Sequence, residues 1–268
     1  MKISATIITL NEARNIRAAC ESVSWADEIV VVDSGSTDET REIAAECRAR
    51  VVENPWLGFA EQKQFAAENA QHEWIFSLDA DERVSEELKS SIAQLRSRND
   101  EQLADGYFVA RRAFYLGRWI RGGGWYPDRQ LRLYRKSRGH WIGPYIHESV
   151  GMQQGSRIEM LKGDLLHYPF EDALQHERMI SERYAPLGAR KMFAAGRRTS
   201  RFQLATIGPA TFIRNFILKA GFRDGSVGFT IARLAAHHAS LKHRLLWELQ
   251  NRRDDELQNR SRRQEGSP

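Results

Sequence analysis

The sequence contains 268 residues, of which 41% are hydrophobic, 28% charged and 10% aromatic. This composition is typical of a folded globular protein and excludes the disordered and fibrous classes. The net charge is +5, but residues 1–175 carry 22 basic and 27 acidic side chains, whereas residues 176–268 carry 18 basic and 8 acidic ones. We therefore expect an acidic body followed by a basic C-terminal module.

The cysteines and the apolar stretches indicate a cytoplasmic protein. The two cysteines, Cys20 and Cys47, fall in segments with helical patterns, which argues against a disulfide framework and favours a reducing compartment. The apolar run at the N-terminus is too short for a signal peptide. Arg214 and Lys219 interrupt the longest apolar stretch, at 205–222, so we expect no membrane span.

The first part of the chain alternates strand and helix patterns. Strands are predicted at Ile3–Leu10, Glu28–Val32, Val51–Glu53 and Trp74–Leu78. Helices are predicted at Glu12–Val23, Ser36–Ala49, Gly58–Ala70 and Ser85–Arg96, the first capped by Asn11 and the second opened by a Ser-x-x-Glu capping box. Near-continuous apolar strands that alternate with helices favour an α/β fold with a mostly parallel sheet.

The later part of the chain adds two strands, a loop and a helical module. Strands are predicted at Gly106–Ala113 and Gln130–Arg135, with a loop rich in Gly, Arg and Trp at Gly117–Trp125. From His176 onward the pattern is helical. We predict a catalytic domain at 1–175, a basic amphipathic helical extension at 176–248, and a flexible tail at 249–268 that lacks apolar periodicity.

Asp79 and Asp81 directly follow the predicted strand Trp74–Leu78. Ligands of parallel α/β sheets bind beyond the carboxyl ends of the strands, where both carboxylates would emerge. Two carboxylates at this spacing can hold Mg²⁺ or Mn²⁺ together with phosphate oxygens. A solvated acidic turn is the alternative interpretation of the pair.

A second carboxylate, Asp33, ends the strand Glu28–Val32 and precedes a Ser-Gly-Ser-Thr-Asp turn. In a dinucleotide-binding fold this position would contact a ribose hydroxyl. The first strand–helix turn, Thr9–Asn15, contains no glycine, so the fingerprint of that fold is absent. Simple turn and cap chemistry remains the alternative for Asp33 and Ser36.

These motifs together resemble the nucleotide-sugar half of a family 2 glycosyltransferase with the GT-A fold. The resemblance rests on Thr9-Leu10-Asn11-Glu12, Val31-Val32-Asp33-Ser34-Gly35-Ser36-Thr37-Asp38, Gly58 followed by Lys63-Gln64, and Leu78-Asp79-Ala80-Asp81-Glu82. It implies that uracil and ribose are surrounded by Thr9, Asn11, Glu12 and Asp33. It also implies that Asp79 lies near the ribose and the metal, and that Asp81 binds a metal that bridges the diphosphate.

One position departs from the family pattern, because Gln62-Lys63-Gln64 stands where many members have Ala-Arg-Asn. Lys63 can still meet phosphate, but as a point charge rather than as a planar fork.

Three later motifs resemble the branch of bacterial lipopolysaccharide inner-core β-glucosyltransferases. They are Tyr126-Pro127-Asp128-Arg129-Gln130-Leu131-Arg132-Leu133-Tyr134-Arg135, Tyr145-Ile146-His147-Glu148 and Phe222-Arg223-Asp224-Gly225-Ser226-Val227-Gly228. This resemblance implies transfer of a hexose, with glucose favoured, from a UDP-sugar to a lipopolysaccharide-core or other lipid-linked glycan.

Inverting sugar transfer needs a carboxylate that deprotonates the acceptor hydroxyl. His147-Glu148 falls where other family 2 enzymes have their catalytic acidic pair, so Glu148 is the candidate base and Asp128 the reserve. A surface pair at a strand end is the alternative for His147 and Glu148. Arg129, Arg132 and Arg135 are candidates for phosphate contacts, or for an ordinary exposed strand face.

The C-terminal module combines apolar helical stripes with basic side chains, which include Arg214, Lys219, Arg233 and Lys242. Such a surface can pack on the catalytic domain, join two copies of the chain, or dock on an anionic membrane, and the lipid-linked acceptor favours membrane docking. A nucleic-acid-binding protein is disfavoured because Asp79 and Asp81 would repel a polyanion. A nucleotidyltransferase is disfavoured because no Gly-rich phosphate loop follows the first strand.

Overall fold

The computed structural model describes residues 1–143 and 148–265, with side chains up to residue 251. The strands are β1 (Ile3–Thr9), β2 (Glu28–Asp33), β3 (Arg50–Glu53), β4 (Trp74–Asp79), β5 (Glu82–Val84), β6 (Gly106–Tyr115), β7 (Arg118–Trp119), β8 (Asp128–Arg135), β9 (Gly139–Ile142), β10 (Ser149–Met152) and β11 (Ile158–His167). The α-helices are α1 (Ile16–Ser22), α2 (Thr40–Glu46), α3 (Phe59–Asn69), α4 (Glu86–Arg96), α5 (Ala173–Met179), α6 (Ala185–Ala194), α7 (Arg201–Ile213) and α8 (Gly225–Glu265).

The chain divides into two units. The first contains residues 1–114 and 127–169, and the second contains residues 115–126 and 170–268. The sequence predicted the division after residue 175 and assigned 115–126 to the catalytic domain. The sequence also predicted a flexible tail from residue 249, and α8 extends from Gly225 to Glu265.

A mixed sheet forms the centre of the first unit. Its strand order is β3-β2-β1-β4-β8-β6-β11-β5, and the first four of these strands run parallel. β8 then pairs antiparallel with both β4 and β6. Every residue of β1 is buried, as expected for a central strand with both faces covered. The predicted α/β fold with a mostly parallel sheet and C-terminal helices is confirmed.

Two apolar clusters cover the faces of this sheet. One joins β1 and β4 to α1 and α4 through residues such as Ile7, Phe76 and Leu88. The other joins β2 and β4 to α3 through Val30, Ala66 and Ile75. The helices thereby fix the sheet, and the carboxyl ends of β1, β2 and β4 are held at one edge.

The turn after β2 differs from its prediction. Ser36 does not cap α2, which begins at Thr40 and has no side-chain cap bond at Glu39. Ser36 Oγ instead accepts a hydrogen bond from the Asn11 backbone N–H at 2.8 Å and donates one to Asp33. Asn11 likewise does not cap α1, because it adopts φ 55° and its Oδ1 accepts from Thr37 N–H at 2.8 Å. Tertiary bonds between the two loops replace both predicted caps.

The second unit is built from the predicted C-terminal helices and the segment 115–126. A small core joins Tyr115, Ile120 and Ile231, with Trp125 and Phe170 packed against it. Asp224 is fully buried, and its carboxylate accepts from Arg121 N–H at 3.0 Å and from Gly122 N–H at 2.7 Å. Among the described residues, no helix is both long enough and apolar enough to cross a membrane.

Candidate active site

The ends of three parallel strands bring the predicted donor residues to one edge of the sheet. Thr9 is in register with Asp33 across the β1–β2 pair, and Ile8 is in register with Asp79 across the β1–β4 pair. Thr9, Asp33 and Asp79 therefore end three adjacent strands. This juxtaposition follows from the parallel order and agrees with the prediction from the motifs.

The loops that follow β1 and β2 are bonded to each other through Ser36, whose Oγ accepts from the Asn11 backbone N–H, and Asp33 holds Ser36 in place. Asp33 Oδ2 accepts from Gly35 N–H at 2.9 Å and from Ser36 N–H at 2.8 Å, while its Oδ1 accepts from the Ser36 hydroxyl. The backbone of Glu12 donates to Thr40 Oγ1 at 2.8 Å. Thr9 Oγ1 is buried and has no hydrogen-bond partner in the described part of the chain. The edge is thus a preorganised loop pair.

Lys63 lies at the centre of the candidate site. It is 2% exposed, and its Nζ lies 2.8 Å from Asp79 Oδ1 and donates to Glu148 Oε1 at 2.8 Å. The same ammonium lies 4.9 Å from the centroid of the Trp141 ring, which is within the range of a cation–π contact. α3 therefore connects the carboxyl end of β4 with the carboxylate that precedes β10.

A chain of alternating charges continues from Asp79. Arg132 Nη2 donates to Asp79 Oδ2 at 3.0 Å and to Glu82 Oε1 at 2.7 Å. Glu82 Oε1 also accepts from Arg111 Nη1 at 3.1 Å, and Arg111 Nε donates to Asp128 Oδ2 at 2.9 Å. Glu82 is fully buried, so its charge depends on both arginines for compensation.

A β-bulge lies at Arg132 on β8. Tyr107 of β6 is in register with Leu133, but its neighbour Phe108 is in register with Leu131, so Arg132 is the extra residue on β8. Bulges redirect side chains and are common beside active sites. Leu131, Arg132 and Leu133 are all buried, as expected for a strand that lies between β4 and β6.

Burial and charge act on Asp79 in opposite directions. Burial by itself raises the pKa of Asp79, but the adjacent charges of Lys63 and Arg132 outweigh it and hold that pKa well below its usual range. Burial lowers the pKa of Arg132, whereas Glu82 and Asp79 raise it by more. Asp79 is therefore a carboxylate, and Arg132 a cation, throughout the physiological pH range.

A cavity of about 250 Å³ opens beside these charges, and polar side chains form most of its wall. It is lined by Lys63, Arg111, Asp128, Gln130, Arg132, Trp141 and Glu148. Both carboxylates that the sequence predicted as base and reserve base thus line one cavity.

Asp81 lies in the turn after β4, apart from the Lys63 network. Its Oδ2 is 3.3 Å from Nε2 of His167, the last residue of β11. Among the residues that the structure describes, no group of three His, Cys, Asp or Glu side chains is arranged to hold a metal ion. A carboxylate and an imidazole are nevertheless a suitable donor pair for Mn²⁺ or Mg²⁺ when substrate phosphates supply further ligands.

The structure brings together some of the predicted site residues and separates others. Lys63, Asp79, Asp128 and Glu148 converge on the network and its cavity. Thr9, Asn11, Glu12 and Asp33 form the adjoining loop pair. His147 lies outside the described residues.

The three candidate arginines do not act together. Only Arg132 reaches the site, because Arg129 is exposed and Arg135 pairs with Asp100 at 2.9 Å near the other end of β8.

Sequence reasoning missed the parts played by Glu82 and Arg111. The sequence motif Leu78–Glu82 includes Glu82 but gave it no role. Arg111 lies on a strand that contains no recognisable motif. One signal was available on β8, because Asp128, Gln130 and Arg132 alternate with a period of two and all line the cavity.

Comparison with known proteins adds an independent line of information. Residues 4–163 match the family described as Glycosyl transferase family 2. The lipopolysaccharide core biosynthesis glycosyltransferase LpsC of Rhizobium meliloti (strain 1021) is 33% identical over 253 residues, covering 90% of each chain. An uncharacterised glycosyltransferase of Rickettsia typhi is 31% identical over 258 residues, which cover 92% of this chain and 87% of its own. The crystal structure of S. aureus TarS 1–349 superposes with a TM-score of 0.47 at 16% identity, covering 94% of this chain and 92% of TarS.

Proposed function

Because this chain belongs to glycosyl transferase family 2, we propose that it transfers a hexose from a nucleotide-diphosphate sugar to a lipid-linked glycan, with inversion at the sugar carbon. The observation that carries this proposal is the convergence of Lys63, Asp79 and Glu148 at the carboxyl edge of the sheet, where α/β folds bind their ligands.

The donor site is proposed at the loop pair after β1 and β2. Thr9, Asn11, Glu12 and Asp33 would surround uracil and ribose if the donor is a UDP-sugar. The unpartnered buried hydroxyl of Thr9 supports this, because a buried donor without an acceptor is costly unless a ligand satisfies it. Asp33 Oδ2 already accepts from Gly35 and Ser36, but Oδ1 accepts only from the Ser36 hydroxyl and has a further lone pair for a ribose hydroxyl.

A divalent cation, Mg²⁺ or Mn²⁺, is proposed at Asp81. His167, 3.3 Å from the Asp81 carboxylate, fits as a second ligand. Asp79, the second ligand proposed from the sequence, fits less well, because its two oxygens face Lys63 and Arg132. We therefore propose that Asp79 instead fixes Lys63 beside the diphosphate. When bound, the cation would neutralise the negative charge that develops on the leaving nucleotide diphosphate.

Glu148 is the proposed catalytic base. It would accept the proton of the acceptor hydroxyl while that oxygen attacks the sugar carbon from the side opposite the diphosphate. Its position on the cavity wall supports this role, because the acceptor must reach both the base and the donor sugar. The hydrogen bond from Lys63 orients the carboxylate. Asp128, held by Arg111, remains the reserve, and His147 is proposed to assist Glu148.

The lipopolysaccharide core is the proposed acceptor, and glucose from UDP-glucose the favoured donor. The acceptor proposal is supported by the similarity to LpsC, which covers 90% of both chains. The sugar and the nucleotide rest on the motif resemblance alone.

The second unit is proposed to dock on an anionic membrane surface, at the inner face of the cytoplasmic membrane. Between residues 183 and 247 the chain has twelve Lys and Arg residues and one acid, Asp224, which is fully buried. Large apolar side chains are exposed on the same unit, among them Phe202 (77%), Leu218 (75%) and Phe222 (55%). Apolar area together with basic charge is what anionic lipid surfaces bind. These exposed apolar and basic side chains could also join two copies of the chain, and sedimentation would detect such a dimer. No nucleic-acid partner is proposed.

A thermal-shift panel tests the donor proposal directly. UDP-, dTDP-, GDP- and ADP-sugars are each added with Mn²⁺ or with EDTA, because a ligand that binds the native state raises its stability. We expect one nucleotide class to raise Tm in Mn²⁺ and to lose that effect in EDTA. If no nucleotide sugar raises Tm under either condition, the proposed activity is wrong.

A further inference from the structure

Arg132 has more hydrogen-bond donors than the protein uses. It is 2% exposed, and its Nη2 alone serves both Asp79 and Glu82. Nε and Nη1 are buried and have no partner within the described residues. A guanidinium has five N–H donors, so three of those of Arg132 remain unmatched. Buried polar groups in folded proteins are almost always paired, so the unpaired donors of Arg132, a residue that lines the cavity, indicate a missing ligand.

The surroundings of Arg132 specify the chemistry of that ligand. The cavity wall contains Arg132, Lys63 and Gln130, all of which can donate hydrogen bonds. Its two carboxylates, on Glu148 and Asp128, are each paired with a cation already. An incoming anion would thus meet carboxylates that are already paired. It would also meet a guanidinium whose Nη2 serves Asp79 and Glu82 but whose Nε and Nη1 have no partner among the described residues. Carboxylate and phosphate oxygens are the acceptors that guanidinium groups bind best.

The position of the cavity indicates which substrate supplies the oxyanion. Glu148, the proposed base, lines the same cavity as Arg132 and must contact the acceptor hydroxyl. The donor loops at Asn11 and Asp33 are not part of that wall. Lys63, which is proposed to lie beside the diphosphate, is on this wall as well, so the diphosphate and the reacting hydroxyl would meet in this cavity. The group bound at Arg132 is assigned to the acceptor because it shares the cavity with the proposed base.

We propose that Arg132 binds a carboxylate or phosphate oxygen carried by the acceptor sugar, which makes an acidic sugar the preferred acceptor. This inference depends on the proposed glycosyl transfer, because only that activity defines an acceptor. The oxyanion site itself rests only on the unpartnered guanidinium and the cavity.

Binding of simple anions tests the site without any turnover. Glucuronate and inorganic phosphate are titrated into the full-length protein by calorimetry, with glucuronate methyl ester as the uncharged analogue of glucuronate. For the unmodified protein we expect glucuronate, phosphate or both to bind, and glucuronate to bind more tightly than its ester if the site takes carboxylates. Binding of neither anion overturns the proposal, whatever the variants do.

Arg132→Lys is the informative variant, because lysine keeps a cation beside Asp79 and Glu82 but lacks the Nε and Nη1 donors. Loss of charge-assisted hydrogen bonds should weaken anion binding by about 10- to 100-fold. Arg129→Lys is the matched control, since Arg129 is an exposed arginine on the same strand, and it should bind as the unmodified protein does. Equal binding by the Arg132→Lys and Arg129→Lys variants contradicts the proposal.

Saturating UDP with Mn²⁺ distinguishes the acceptor from the donor. If the anion still binds with UDP present, the acceptor assignment stands. If UDP excludes the anion, the site belongs to the diphosphate and the assignment to the acceptor is wrong. The two proposals can fail separately. If the protein transfers sugar to no acceptor but anion binding is lost in Arg132→Lys, the proposed function is wrong and the oxyanion site is still supported.

Discussion

Lys63 Nζ donates a hydrogen bond to Glu148 Oε1 across 2.8 Å, although 85 residues separate the two in the chain. The same ammonium lies 2.8 Å from Asp79 Oδ1. One buried cation thus connects the carboxyl end of β4, where a donor diphosphate is proposed, to the proposed base. On the proposed function, Lys63 would set the distance between the donor diphosphate and the base.

Removing this cation should destabilise the fold. Lys63→Gln leaves Asp79 with Arg132 as its remaining close cation, and breaking a buried ion pair costs about 3–5 kcal/mol. Lys89→Gln is the matched control, because Lys89 is 45% exposed and pairs with Glu86 at 3.7 Å, a surface pair worth at most about 1 kcal/mol. Urea unfolding of both variants measures the difference. An equal loss in the two would show that Lys63 has no special part in the network.

The metal proposal predicts different effects for the two aspartates after β4. Asp81→Asn should abolish the Mn²⁺-dependent Tm increase given by the donor, because it removes the proposed cation ligand. His167→Gln should weaken the Mn²⁺ dependence, since His167 lies beside Asp81. Asp79→Asn should lower stability at every Mn²⁺ concentration, because Lys63 and Arg132 lose their shared carboxylate. A full Mn²⁺ response in the Asp81→Asn variant would show that the cation does not bind at Asp81.

The strands and the order of the motifs could be predicted because local pattern determines them. β1, β2 and β4 are apolar runs, and their parallel order places Thr9, Asp33 and Asp79 together. The partners of buried charges could not be predicted, because they depend on tertiary contacts. Glu82 meets Arg111 and Arg132 only after β8 has paired with both β4 and β6, and the bulge at Arg132 leaves no mark in the sequence.

The same limit applies to Ser36. Its spacing from Glu39 satisfies a capping box, but the loop after β1 offers Asn11 N–H and the strand end offers Asp33. A local motif cannot predict these tertiary partners. In the structure the Ser36 hydroxyl bonds to them instead of capping α2.

A buried histidine makes the second unit sensitive to acid. Burial, aided by the charge of His238, lowers the pKa of His176 from 6.5 to about 4. The unfolded chain therefore binds a proton that the folded unit excludes, so stability is fully present above pH 6.5 and is lost as the pH falls toward 4. The shift corresponds to on the order of 3 kcal/mol.

His176→Phe should flatten this pH dependence. His176 stacks on Phe170 at 4.0 Å and its Nδ1 lies 3.0 Å from the Tyr115 hydroxyl, so an aromatic replacement keeps part of the packing. His140→Gln, at an exposed position, is the control. Thermal unfolding between pH 7 and pH 4.5 measures both. A slope that persists unchanged in His176→Phe would assign the acid sensitivity to other groups.

Membrane docking predicts a salt-sensitive association with anionic vesicles. The protein should sediment with phosphatidylglycerol liposomes, bind phosphatidylcholine weakly and be partly released by salt, because each basic group near the surface contributes about 1 kcal/mol that salt screens. Replacing the exposed residues Arg201, Arg214, Lys219 and Arg233 by Gln should weaken this binding without affecting donor hydrolysis.

The control carries the same charge change on the first unit, at the exposed residues Arg17, Lys89, Arg98 and Arg157. If both quadruple variants bind vesicles equally, net charge rather than a docking face explains the association. If the second-unit variant also loses donor hydrolysis, its helices support the fold and the membrane proposal is wrong.

The most direct test of the account is the rate of sugar transfer by Glu148→Gln compared with Asp128→Asn, in Mn²⁺ and with the nucleotide sugar selected by the thermal-shift panel. Glutamine keeps the size of Glu148 but cannot accept a proton. We predict that Glu148→Gln lowers kcat by about 10²- to 10⁴-fold with the KM for the donor unchanged, and that Asp128→Asn lowers it much less. A Glu148→Gln variant that transfers sugar as fast as the unmodified protein would contradict the account.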